Sequence, residues 1–157
     1  MSLDEHLQAL TAEWPGDFDA RLKALAAFAE AGPSGLGRLS EVVQDRVRSV
    51  TARIWATQAI AHIGKDDKKH TARTALTILL SESDPSLRRA ALNALGNLKD
   101  ESVIPLIVGY LNDNTEDENA WFEDDCTVGH AAAKALETIG TTTAKTALST
   151  VKRERTT

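Results

Sequence analysis

The chain has 157 residues, enough for one domain with a sizeable core, and its 42% hydrophobic and 26% charged residues are ordinary for a globular protein. Aromatics make up only 4% while alanine is abundant, which favours closely packed helices over sheet. The net charge of −5 argues against phosphate binding, and no apolar run reaches the roughly 18 residues of a membrane span.

The opening MSLDEHLQAL is acidic and lacks the basic start and apolar core of a signal peptide. Cys126 stands alone, so no internal disulfide forms, and the expected compartment is the cytoplasm. Charge is unevenly spread: −4 over residues 1–37, +4 over 38–100, −8 over 101–125 and +3 over 126–157.

In chain order, Ser2 and Glu5 form a capping box ahead of an expected helix from Leu3 to Glu13, with Leu3, Leu7 and Leu10 as its apolar stripe. Trp14, Pro15 and Gly16 break it. Then comes the first of four similar stretches. Without gaps, they align Ala20, Ala52, Leu87 and Val128, then Ala24, Ala56, Ala91 and Ala132. Ala27, Ala59, Ala94 and Ala135 form the next column, followed by Phe28, Ile60, Leu95 and Leu136. Ala31, Ile63, Leu98 and Ile139 come last. These positions share one helical face.

Asp17, Ser49, Asp84 and Asp125 precede the stretches as expected caps; Gly32, Gly64 and Gly140 close three of them, with Lys99 in that place in the third. The starts lie 32, 35 and 41 residues apart, a spacing of stacked helical units. Partner helices between them are marked by Leu36, Leu39, Val42 and Val43, and by Ala72, Ala75, Leu76 and Leu79. Val103, Ile104, Leu106, Ile107 and Leu111 mark the third, and Ala144, Ala147, Leu148 and Val151 the last. The charged tail, 153–157, is expected to fray.

The run DPSLRRAALNALGNLKDESVIPLIVGYLND, residues 84–113, resembles the short bacterial HEAT-like repeat that also occurs in phycobilisome lyases. Its Asp84-Pro85 turn, the Leu87-Arg88 pair, the Ala94-Leu95-Gly96 string and Ile104-Pro105-Leu106 carry the likeness. The resemblance implies an all-α solenoid of about four helix pairs plus a terminal helix, spanning 1–157 as one domain. It also implies that the arginine-bearing helices line a concave side. It specifies no function.

Arg21, Arg53 and Arg88 share the column beside the buried stripe, so tying down a neighbouring carboxylate or helix end outweighs service as a phosphate track. The opposite face carries Leu22, Ala26 and Glu30, then Ile54, Gln58 and His62, then Arg89, Asn93 and Asn97, then His130, Lys134 and Glu137. We take Gln58, His62, Arg89, Asn93, Asn97, His130 and Lys134 as candidate partner contacts. The insert DNTEDENAWFEDD, residues 113–125, breaks the repeat pattern. Its Trp121 and Phe122 either cover the core or anchor a partner, while Glu116, Asp117, Glu118, Glu123 and Asp124 would steer a basic surface towards them.

No catalytic, cofactor or metal site is expected. The four histidines show no ligand spacing, and the insert lacks the alternate ligands and central glycine of a calcium loop. The sequence has none of the His-Glu dipeptides that hold iron in the HEAT-like deoxyhypusine hydroxylase, and Cys126 with His130 is a bare thiol–imidazole pairing. The basic cluster Lys65, Lys68, Lys69, His70 and Arg73 is interrupted by Asp66 and Asp67, which argues against nucleic acid as a partner. The expectation is therefore a protein-binding adaptor, its partner basic and proteinaceous, its oligomeric state open. Alternatives are an immunity protein neutralising a basic toxin, an accessory subunit of a bilin-lyase-like enzyme, and a structural scaffold.

Overall fold

The computed structural model describes residues 2–12, 17–119 and 126–154. Every regular element among them is helical, and the only β-type pairing is an isolated antiparallel bridge between Glu116 and Thr127. The chain divides into two compact units, Met1–Leu79 and Leu80–Thr157.

The first unit holds α1 (Leu3–Thr11), α2 (Phe18–Glu30), α3 (Pro33–Gln44), α4 (Val50–Ile63) and α5 (Lys69–Ile78). Ser2 and Glu5 close the capping box of α1, which ends at Thr11, two residues short of expectation. The break at Trp14 lies outside the described residues. Asp17 accepts from the amides of Asp19 and Ala20 to start α2, and Ser49 accepts from Ala52 to start α4. Phe28, Leu36, Leu39, Ile60 and Leu76 are fully buried. At Gly32 the backbone turns from α2 into α3 with φ of 58°, a region open to glycine.

The second unit holds α6 (Pro85–Leu98), α7 (Ile104–Val108), α8 (Val128–Ile139) and α9 (Thr142–Glu154). Asp84 caps α6, and Pro85 sits at its first position, where a missing donor is harmless. Gly96 lets α6 and α8 meet backbone to backbone: a Cβ there would lie 2.8 Å from Ala135 Cα. The column Ala24, Ala56, Ala91 and Ala132 is wholly inaccessible. Each of these alanines thus lies on the buried face of its helix, as the repeat pattern predicts, and each larger side chain buried beside it stabilises by about 1.5–3 kcal/mol.

Two expectations need correcting. Asp125 lies outside the described residues, and the cap of α8 is Thr127, whose hydroxyl accepts from His130 N. The helix starts late because residues before it pair with the insert: Asp117 N donates to Cys126 O at 2.8 Å and Val128 N to Thr115 O at 3.0 Å. Leu106, named with the apolar residues that mark the third partner helix, is 40% exposed, because the buried face of that helical stretch is formed by Val103, Ile104, Ile107 and Leu111 and position 106 falls beside it. The α9 backbone is helical through Glu154, and residues 155–157 lie outside the described residues.

Candidate functional site

The arginine column is spent inside the fold. A helix leaves its last carbonyls without amide partners, and a guanidinium offers several donors at the negative end of the dipole. Arg21, buried in α2, donates through Nη2 to Ala12 O at the end of α1. Arg53 Nε donates to Val43 O in the last turn of α3 at 2.8 Å. Arg88 Nη1 reaches Glu82 O at 2.8 Å and Ser83 O at 2.9 Å, and its Nε lies 3.5 Å from Asp113. Each therefore fastens its helix to the segment before it.

Part of the insert is also structural. Asp117, an expected contact for a basic partner, is 6% exposed and turned into the second unit. Its carboxylate accepts from Ser86 Oγ at 2.6 Å, Arg89 Nη1 at 2.5 Å and Asn119 N at 3.0 Å. Burial alone would raise this carboxyl. The hydrogen bonds from Ser86, Arg89 and Asn119 and the charge of Arg89 outweigh burial and hold it below the usual carboxylate range. Asp113 behaves alike: burial opposes ionisation, while Thr115 and Arg88 favour it, and the net shift is downward. Arg89 is thus engaged by Asp117 across the start of α6. Glu116 and Glu118 are exposed on either side; Trp121, Phe122, Glu123 and Asp124 lie outside the described residues.

The outward helix faces carry the remaining candidates. Gln58 and His62 are exposed on α4, Asn93 and Asn97 on α6, and His130 and Lys134 on α8. In the second unit Arg89, Asn93, His130 and Lys134 come together around a polar notch of about 40 Å³. In the first unit, Gln58 and His62 border a larger hollow of about 220 Å³ whose walls are mostly apolar. Phe18, Leu22, Leu25 and Trp55 contribute to those walls and were not among the sequence candidates. Their signal was available: Leu22 is a large apolar residue on a face that reads as solvated. Among the described residues, no three His, Cys, Asp or Glu side chains converge as metal ligands do, and no helix is long and apolar enough to cross a membrane.

The sequence matches the family of HEAT repeats over residues 44–123 and again over 72–155. No curated protein matches the chain. Among solved structures it is similar to a chain in the complex of CpcE and CpcF of phycocyanin lyase from Nostoc sp. PCC7120. That likeness has a TM-score of 0.56 at 17% identity and covers 94% of this chain and 62% of the other. The chain therefore spans less than two thirds of that relative's length, and at this identity the likeness shows a shared fold alone.

Proposed function

The chain belongs to the HEAT-repeat family of all-α solenoids, and from that premise we propose that it is a non-enzymatic protein-binding module. The observation that carries this reading is the division of labour across each capped helix. One side holds the arginines and alanines that fasten the fold; the other exposes Gln58 and His62 in the first unit, and Asn93, Asn97, His130 and Lys134 in the second. Polar amides, imidazoles and long cations on exposed helix faces suit recognition of a protein surface. Glu116 and Glu118, with Glu123 and Asp124 in the same stretch, favour a partner whose facing surface is basic, and Trp121 and Phe122 are its candidate anchors. The similar solved structure is itself a complex of two proteins, which supports a protein partner.

The test is co-purification of the tagged chain from its native host beside an Asn93→Ala, Lys134→Ala variant. We expect one or more proteins to be retained by the wild type and depleted at least about fivefold by the variant, with melting unchanged because both residues are exposed. Recovery of the same proteins in equal yield from both chains would sink the reading. The phycocyanin-lyase likeness favours one second reading, an accessory role in bilin attachment. Chromophore transfer in the presence of the purified chain, absent without it, would support that role.

A further inference from the structure

The hollow in the first unit has a shape and a charge setting that point to one class of occupant. α2 supplies Phe18, Leu22 and Leu25, four and three residues apart and so on one stripe. Phe18 is 70% and Leu22 50% exposed, although the opposite side of α2 buries Ala24 and Phe28 completely. α4 supplies Trp55, Gln58 and His62 at spacings of three and four, and Leu10 of α1 also lines the hollow. The ends of each row are seven residues apart, about 10 Å along a helix, or two turns. Trp55 is held in its wall position by Arg21, whose guanidinium carbon stands 4.2 Å from the ring centroid.

A two-turn groove with apolar walls matches a helix that offers side chains at i, i+3 or i+4, and i+7. The charge beside it selects among such helices. Asp17 and Asp19 are exposed at the start of α2, and Glu30 is exposed at its end. These three exposed carboxylates on α2 stand against one exposed base on that helix, Lys23, since the Arg21 side chain is buried in the groove wall against Trp55. Lysine or arginine flanking the apolar stripe of an incoming helix would meet these carboxylates, whereas acidic flanks would be repelled.

We propose that the α2–α4 groove docks one basic amphipathic helix of a partner protein, seating two or three leucine or aromatic side chains between Leu22 and Trp55. This rests on the protein-binding reading above and names the partner's chemistry. Glu116, Glu118 and the polar notch belong to the second unit and are not part of this groove.

The probe is a synthetic peptide of about 18 residues, long enough to be appreciably helical, with leucines on one stripe and lysines elsewhere. In a full chain carrying Trp14→Phe and Trp121→Phe, Trp55 is the only indole left of the three. We expect a saturable change in its emission, a loss of affinity of about tenfold or more in Leu22→Glu, and weakening with added salt. Phe18→Ser serves as a second exposed variant, and unchanged melting shows that neither acts by unfolding. Equal affinity in wild type and Leu22→Glu, or equal binding of a peptide with glutamate for lysine, would overturn the proposal. Self-association abolished by Leu22→Glu would overturn it by giving the groove to a second copy. Peptide binding that appears only in Trp14→Ala would overturn it by giving the groove to the chain itself. Co-purification separates the two readings. If Leu22→Glu leaves capture intact while Asn93→Ala, Lys134→Ala removes it, the groove fails and the protein-binding reading stands. If neither change alters capture, both fail.

Discussion

At the scale of single residues, Asp117 sets how the insert is held. Its carboxylate gathers a hydroxyl, a guanidinium and a backbone amide, so the ionised form is favoured in the folded chain although burial opposes it. A carboxyl depressed by folding is more readily protonated in the unfolded chain. The stability it contributes is present above about pH 4 and is lost as pH falls through the folded value. Asp113, also depressed, adds to the same acid limb. We expect Asp117→Asn to cost about 1–3 kcal/mol at neutral pH, because Arg89 loses its charged partner while Ser86 can still donate to an amide oxygen. The variant should also lose part of the wild type's decline in stability below about pH 4, leaving the share due to Asp113. Urea unfolding at a series of pH values measures both effects; a wild-type slope retained in full by Asp117→Asn would refute the assignment.

At the scale of elements, the third stretch ends differently from its relatives. α8 closes on Gly140 with φ of 70°, whereas α6 closes on Lys99 with φ of 49° and ψ of 43°. A side chain in this left-handed region costs roughly 1 kcal/mol, which glycine avoids at some expense in unfolded-chain entropy. Lys99→Gly should therefore raise stability by about 0.5–1 kcal/mol, and Gly140→Ala should lower it by a similar amount. Thermal melts should move in opposite directions by a few degrees. A fall in stability for Lys99→Gly would mean that the lysine side chain has a compensating role. Only part of this was legible in the sequence, where Lys99 interrupts a column of glycines. Gly64 in that column closes α4 with φ of −79°, and α2 closes on Ala31 rather than on Gly32. The alanine column and three of the four caps were legible. Those features repeat, and repetition makes a local signal readable. The late start of α8 was not legible, because it depends on Asp117, Val128 and Gly129 pairing with residues far along the chain rather than on cap chemistry at Asp125. The outward faces of the candidate site follow from helical period alone, but its partition does not. Asp117 and Glu116 are neighbours of the same charge, and only the tertiary position of Ser86 and Arg89 turns one inward and leaves the other exposed.

At the scale of the whole molecule, charge is apportioned unevenly along the chain. The segment 101–125 holds eight acids and no base, yet two of these acids, Asp113 and Asp117, are occupied within the fold. Glu116 and Glu118 remain exposed, and Glu123, Asp124 and Asp125 share the stretch with Trp121 and Phe122. If this stretch steers a basic partner, its contribution is long-ranged and screened over about 8 Å at physiological salt, so it acts mainly on the rate of encounter. An anchor residue acts on the lifetime of the complex instead. Glu116→Gln with Glu118→Gln should therefore slow association several-fold at low salt, leave dissociation nearly unchanged, and lose its effect as salt rises. Trp121→Ala with Phe122→Ala should shorten the lifetime of the captured complex at any salt while the chain melts normally. Surface plasmon resonance with the protein recovered by co-purification separates the two. Early melting of the aromatic double variant by circular dichroism would place those rings in the core and end their candidacy as anchors.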